Sequence, residues 1–576
     1  MSDELHCSWD SHHDIVQGNY TTANAAEVLP GVTKPLAADI WREWDYGWNY
    51  GVMEDLGTTD LLEVPKPPVA TTLPFIGGRF VINFGINMAF TALYSVGEGS
   101  DFLKNFLEGG EEEFTSETHG DEERALATRA AITEKWETSE AIRDRNREIT
   151  KDAYRQSRTR DYSSASDAEL FEALDEGTEL AGRIFKAHYY NSVGGGEYTS
   201  VVGAILDEHV PDHPPEWTNT ITSGLTGVES ALPAKAIWDL SRFIAARPAL
   251  ATDFASLTAD GLTANLANPG SDDWQAFAAE YEAFIEELGF RGQCETNPSY
   301  LTWDEAPNFV LSSIQADLQA SPDRDPHELE RKQAAAREAV EREIESKLPE
   351  EVLDEYRHAL RLAQTLNRGR ESSKANWARA CRTQRPPVVE LARRLVERGV
   401  IDGAEDVWFL RLPELRAAAE GNLDAGEAKA SIASRKDEFA LMEQHELPVM
   451  FEWPVELIPK VATEAVSTAS YEGLGISPGQ ASGKARVIES AEAAISTMLE
   501  PGEILVAPVT DAAWTPLFIP AAGVVVETGG ILSHAATVAR EFGIPAVAQI
   551  RGITSLIPNG ATVTIDGSTG TVTVEP

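Results

Sequence analysis

The chain has 576 residues, long enough for several domains, and its 42% hydrophobic content suits folded cores rather than disorder. The 93 acidic residues against 48 basic ones give a formal charge of −45. A field of that sign repels phosphate backbones and anionic lipid, which argues against a nucleic-acid or membrane-surface binder. Only 14 of the basic residues are Lys. So much acid with so little Lys fits a halophilic protein, whose charge repulsion is screened by cytoplasmic salt. Cys7, Cys294 and Cys381 lie far apart and form no CxxC pattern, so neither a disulfide framework nor a metal site is expected. Residues Met1 to Asp10 are acidic and lack an apolar signal core, and the expected location is cytoplasmic.

Residues 1 to about 100 are mixed and rich in Trp and Pro, with turn clusters at Leu29-Pro30-Gly31 and Lys66-Pro67-Pro68. His12-His13, near His6 and Cys7, reads as a polar chain start without the fixed geometry of a metal site. Phe80 to Gly97 carries no formal charge, but Asn83, Asn87, Thr91 and Ser95 interrupt it. It reads as a buried core element, since a spanning helix needs ~20 mostly apolar residues. From about 100 to 450 the texture is helical. Glu108–Glu176 and Glu328–Leu366 repeat apolar residues at three- and four-residue spacing against Glu and Arg. Within the first, Glu111–Glu113 reads as a solvated helix start or loop. Val388–Val400 is a shorter amphipathic helix ended by Gly399. Lys460 to Ser470 is small and polar, as a linker would be. Beyond Tyr471 the pattern shortens and predicts strands at Lys484–Glu489, Glu503–Val506, Gly523–Glu527 and Thr562–Ile565, with helices at Ala491–Leu499 and His534–Phe542. The expected fold is multidomain: a large, mainly α-helical N-terminal body (1–455), a linker (456–472) and a C-terminal α/β module (473–576).

Gly479-Gln480-Ala481-Ser482-Gly483-Lys484 looks like a phosphate loop but fails as one. Three residues, not four, separate its glycines, Ala485 stands where Ser or Thr should bind magnesium, and a strand follows where a helix is needed. From sequence, Gly473, Gly475 and Gly479 read as turn residues. The run from Thr528 to Arg540 differs, because it follows an apolar strand and opens a helix. Gly529 and Gly530 let the backbone turn sharply, and Ser533 is placed to cap the helix. His534 then stands at a helix N-terminus, where backbone N–H groups and the dipole favour an anion. A neutral imidazole there would be a nucleophile. Arg540, six residues on, could ion-pair with the same anion or brace the helix. A structural His at a helix start is the competing reading of the same residues.

Residues 471–576 resemble the swivelling phosphohistidine domain of the phosphoenolpyruvate-utilising enzymes, such as phosphoenolpyruvate synthase and pyruvate phosphate dikinase. The family signature runs from Thr528 to Val547, and Gly475-Ile476-Ser477-Pro478-Gly479 matches the entry motif. The resemblance implies that His534 carries a phosphoryl group and that Thr528 helps to hold the imidazole. Thr510-Asp511-x-x-Trp514-Thr515-Pro516-Leu517-Phe518 resembles the rifampicin phosphotransferase branch. So do Asn24–Thr33, Gly78–Asn83, Gly289-Phe290-Arg291-Gly292 (with Phe290 in place of a His), Arg370-Glu371-Ser372-Ser373-Lys374 and Glu405–Leu410. The chain starts at the substrate-binding part and stops after the swivel domain, with no stretch resembling an ATP-grasp domain or a phosphoenolpyruvate barrel. That arrangement is similar to the carrier subunit of phenylphosphate synthase.

The resemblance therefore implies a phosphotransferase component. A separate ATP-grasp protein would phosphorylate His534, in the family from the β-phosphate of ATP, with Mg2+ and ATP held by that partner. Phosphoenolpyruvate is the other possible donor, and a small-molecule hydroxyl is the acceptor. No tightly bound cofactor is expected. His534, Arg540 and Thr528 are the expected catalytic residues. Arg370 and Lys374, four apart and so on one helix face, are expected to bind substrate or phosphate, together with Arg291, Gly529, Gly530 and Ser533. The alternative is a non-catalytic, phospho-regulated binding or carrier protein, motivated by the missing donor domain and by Phe290.

Overall fold

A computed structural model describes residues 7–10, 18–22, 25–57, 73–83, 122–319, 321, 324–460, 469–490, 493, 499–531 and 533–575. His12-His13, Glu111–Glu113, residues 461–468 of the expected linker, and most of Phe80–Gly97 and of the expected helix Ala491–Leu499 lie outside these residues. The helices of the body include α1 (Pro35–Leu56), α2 (Asp167–His209), α3 (Leu232–Ala245), α4 (Pro307–Gln319), α5 (Pro326–Lys347), α6 (Leu353–Arg382) and α7 (Arg385–Glu397). Strands β1 (Ala469–Glu472), β2 (Leu474–Ser477), β3 (Gln480–Val487), β4 (Ile504–Ala507) and β5 (Gly523–Val526) follow. Helix α8 (His534–Phe542) precedes β6 (Ala546–Ala548), β7 (Thr562–Asp566) and β8 (Thr571–Glu575). A large helical body and a C-terminal module built on a mixed sheet make the chain multidomain.

The chain divides into two compact units. One gathers 1–193, 294–300 and 373–461, the other 194–293, 301–372 and 462–576. This division differs from the sequence boundary at 456–472, because part of the helical body groups with the C-terminal module. The reason lies in the core. One apolar cluster holds Leu225, Ile237, Trp238 and Ile314 from the body together with Trp514, Phe518, Val524 and Val538 from the module. Helices α2 and α6 contribute residues to both units.

In the first unit, Pro35 stands in the first turn of α1, where its missing N–H costs nothing, and Gly57 ends the helix in the left-handed region at φ 66°. Trp41, Trp44 and Trp48 recur at three- and four-residue spacing and are all buried, a helical stripe that the Trp- and Pro-rich reading of the first hundred residues missed. A second core packs Leu36 and Ile40 of α1 against Leu170 and Leu174 of α2 and Val388, Leu391 and Leu395 of α7.

In the second unit the strand order is β1-β8-β7-β3-β4-β5-β6-β2. The pairs β3–β4, β4–β5 and β5–β6 are parallel, and the remaining ladders are antiparallel. All residues of β4 and β5 are buried, which is why these two strands read as unbroken apolar runs rather than alternating ones. Helix α8 covers one face with Ala535, Ala536, Val538, Ala539 and Phe542. Among the described residues no helix is long and apolar enough to cross a membrane.

Candidate active site

The site forms where two loops leave the carboxyl ends of the neighbouring parallel strands β4 and β5, the edge at which open α/β sheets bind ligands. The loops are tied together at their start: the Thr528 N–H donates to the Pro508 carbonyl at 3.0 Å. In the first loop the Asp511 carboxylate accepts the Ala513 N–H at 2.9 Å, which turns the chain into the short helical segment Ala512–Phe518. In the second, Gly529 takes φ +152°. A Cβ at Gly529 would meet Ser533 Oγ at 3.1 Å, so glycine is needed there. The Ser533 N–H returns to the Gly530 carbonyl at 3.0 Å, and Ser533 Oγ accepts the Ala536 N–H at 3.2 Å. Helix α8 therefore begins at His534, as the capping pattern predicts.

The His534 ring is 2% exposed. Its Nδ1 lies 3.2 Å from Thr510 Oγ1 and its Nε2 lies 3.1 Å from Thr515 Oγ1. Phe518 meets the ring edge-on, 6.0 Å between centroids. Thr515 also donates to the Ser230 carbonyl at 3.0 Å. Ser230 belongs to the turn Glu229–Ala231 that leads into α3. Arg291 donates from Nη2 to the Glu229 carbonyl at 3.4 Å and lies over the Phe290 ring, 4.8 Å from its centroid. The turn beside the imidazole is thus shared with Arg291.

Arg540 braces the turn from behind. Its Nη2 donates to the Ile531 carbonyl at 2.7 Å. Burial pushes its pKa down to about 10, with Glu541 opposing that fall and Arg370 adding to it. The guanidinium lines a small cavity with Asn367, Arg370, Glu371, Thr537 and Glu541. Arg370 is ion-paired with Glu371. Glu541 accepts the Leu225 N–H at 3.3 Å, and burial pushes its carboxyl up to about 8.

Of the residues singled out in the sequence, the structure brings together His534, Gly529, Gly530 and Ser533 in one turn, with Arg540 behind it. Arg370 shares the cavity with Arg540, and Arg291 reaches the Glu229–Ala231 turn. Lys374 is buried and groups with the other compact unit. The hydroxyls against the imidazole are those of Thr510 and Thr515, whereas the backbone of Thr528 ties the two loops. Both threonines stand in the stretch that resembles the rifampicin phosphotransferase branch, five residues apart after a buried strand, but that motif did not single them out as ring holders. Ser230 carries no sequence signal at all, because only its carbonyl is used. Among the described residues no group of three or more His, Cys, Asp or Glu converges to hold a metal ion.

Residues 499–570 match the family described as PEP-utilising enzyme, mobile domain, and residues 188–371 match the rifampicin phosphotransferase fourth domain. The prodigiosin synthesizing transferase PigC of Serratia marcescens is 30% identical over 366 residues, 62% of this chain and 40% of that protein. The chondramide synthase cmdD of Chondromyces crocatus is 31% identical over 369 residues, 59% of this chain and 9% of that protein. Rifampicin phosphotransferase of Bacillus subtilis is 30% identical over 301 residues, 50% of this chain and 34% of that enzyme. The chain spans less than half the length of each of these relatives. It carries the mobile domain of the phosphoenolpyruvate-utilising enzymes, with His534 on it, together with a helical segment of the kind that forms the fourth domain of rifampicin phosphotransferase.

Proposed function

We propose that this chain is the carrier and acceptor part of a phosphotransferase. His534 takes a phosphoryl group from an ATP-grasp domain acting on Mg-ATP, or from phosphoenolpyruvate, and passes it to a hydroxyl of a small molecule. The donor domain belongs to the same polypeptide or to a separate one. One observation carries this reading: an imidazole at the N-terminus of α8, inside the mobile-domain match, with a threonine hydroxyl at each ring nitrogen. Relatives named rifampicin phosphotransferase support the hydroxyl-bearing acceptor.

The chemistry splits one transfer into two. On loading, the unprotonated ring nitrogen attacks with its lone pair: an N–P bond forms, the donor's P–O bond breaks with its electron pair leaving on the donor oxygen, and the ring proton is lost from the other nitrogen. On delivery, the N–P bond breaks, an O–P bond forms, and the acceptor hydroxyl's proton ends on the imidazole. Phosphoryl transfer needs alignment and charge neutralisation above all. The α8 N-terminus provides partial positive charge, and Arg370 and Arg291 are the cations assigned to the acceptor side. A ring that is 2% exposed reaches no donor while it stays seated, so the mobile domain must lift from the Glu229–Ala231 turn to be loaded.

A pulse–chase tests this. The full chain is incubated with labelled Mg-ATP and an ATP-grasp domain, or with labelled phosphoenolpyruvate, then desalted and mixed with phenolic and alcoholic acceptors. Label should load on the chain and move to an acceptor hydroxyl. Label that loads but transfers only to water would favour the phospho-regulated alternative, and no loading from either donor would refute the carrier role.

A further inference from the structure

We propose that Thr515 is a positioning residue that fixes which nitrogen of His534 carries the ring proton, and that it does so only while its hydroxyl is seated on the Ser230 carbonyl. The inference rests on the carrier reading above and adds a control to it. A hydroxyl has one proton and a carbonyl oxygen only accepts. The 3.0 Å contact with Ser230 therefore uses the proton of Thr515. On its other side, 3.1 Å away, lies Nε2, and toward that atom the hydroxyl has only lone pairs left. Nε2 must bear a hydrogen.

In a neutral ring Nδ1 then holds the lone pair, and Thr510, 3.2 Å away, donates to it. Thr510 imposes no choice of its own. Among the described contacts its hydroxyl has no second partner, so it turns to suit the ring. Thr515 and Thr510 are 0% and 2% exposed, and in such a setting hydrogen bonds strengthen and water does not compete. The seated tautomer is thus set by a backbone carbonyl two bonds removed from the imidazole.

The consequence is a link between seating and proton position. Delivery of the phosphoryl group returns a proton to the imidazole, and when that proton stands on Nε2 the seated hydroxyl accepts a hydrogen bond from it. Lifting the mobile domain from Ser230 frees the hydroxyl of Thr515 to rotate, so that it no longer excludes the tautomer with the proton on Nδ1. In that tautomer, once the proton has moved through solvent from Nε2 to Nδ1, Nε2 holds the lone pair as the ring leaves its seat. Seating and nucleophile state are then one event, read through one hydroxyl.

The test is 15N NMR on the full, unphosphorylated chain with 15N-labelled histidine, at a pH about two units above the usual histidine pKa. The His534 signals are identified by their loss in His534→Gln. In the wild type Nε2 should resonate as a protonated nitrogen and Nδ1 as a lone-pair nitrogen. Thr515→Val, close to isosteric but without the hydroxyl, should lose this exclusive pattern and average the two nitrogens, and Thr515→Ser should restore it. A wild-type ring protonated at Nδ1, or at both nitrogens, overturns the proposal, as does an unchanged pattern in Thr515→Val. Should Thr515→Val not fold, the wild type and Thr515→Ser still decide. Failure of His534 to accept phosphate from any donor would refute the carrier reading while leaving these spectra as they are, so the two failures are distinguishable.

Discussion

Gly529→Ala should damage the site without touching the imidazole. Gly529 takes φ +152°, a region that L-residues enter at a cost of about 1–3 kcal/mol. The added methyl would also meet Ser533 Oγ at 3.1 Å and Ser533 Cβ at 3.3 Å. Ser533 has no room to yield cheaply, because its Oγ accepts the Ala536 N–H at 3.2 Å. Pushing the serine aside loses the helix cap, worth about 1 kcal/mol. The two costs together come to about 2–4 kcal/mol concentrated in one turn, or about 30-fold or more in local opening at a factor of ten per ~1.4 kcal/mol. Amide hydrogen exchange at Ala536 reads that opening directly. Protection there should fall by about 30-fold or more, with Ser533→Ala showing a smaller fall in the same direction. Loading of His534 by a donor should slow in parallel. Unchanged protection at Ala536 in Gly529→Ala would show that the turn tolerates a side chain and that the double glycine is not what presents the histidine.

Other substitutions probe the surroundings. Arg540→Ala removes the donor to the Ile531 carbonyl and should lower the loading rate of His534 by about tenfold or more through a looser turn, at about 1–3 kcal/mol for an unmet buried partner; an unchanged rate would make Arg540 a bystander. Arg370→Ala should leave loading intact and slow single-turnover delivery to the acceptor by about 100-fold, the scale for one lost charge-stabilising contact. Unchanged delivery would mean that Arg370 serves only its partner Glu371. Glu541 tests the pH dependence: its carboxyl stands at about 8, raised by burial from 4.5. Between about pH 4.5 and 8 the unfolded chain binds fewer protons at this position than the folded one, so stability should fall as pH rises across that window. Denaturation midpoints of Glu541→Gln should lack this part of the slope, which approaches ~1.4 kcal/mol per pH unit inside the window; parallel profiles for wild type and variant would refute the assignment.

The carrier helix was legible because its signals are local. The double glycine, the serine cap and the apolar face of α8 all lie within Gly529–Phe542, and the helix runs from His534 to Phe542 as the pattern predicts. The buried strands β4 and β5 were legible for the same reason, as apolar runs between turn residues. What holds the imidazole was not legible. Thr510 and Thr515 reach it from the neighbouring loop, a pairing set by the parallel register of β4 and β5, and the Ser230 carbonyl comes from about 300 residues away in sequence. Arg540 illustrates a second limit. Its place six residues after His534 allowed a contact with the anion or a brace on the turn, and only the packed structure directs it to Ile531. Helix α1 is hidden in the mixed, Trp- and Pro-rich texture of the first hundred residues, although Pro35 starts the helix and the tryptophans line its buried side. The division of the chain into units was hidden too, since it depends on one apolar cluster that joins Leu225–Ile314 to the C-terminal module.

The central claim is that His534 is the phosphoryl carrier, and the chemistry of the N–P bond tests it most directly. Wild-type chain and His534→Ala are each incubated with labelled Mg-ATP and an ATP-grasp donor, then split into acid and alkali treatments. A phosphoramidate is lost in acid and survives base, whereas phosphate on the neighbouring Ser533 behaves in the opposite way. The account predicts acid-labile, base-stable label on the wild type and none on His534→Ala. Base-stable label at full level on His534→Ala would contradict it and move the carrier to another histidine.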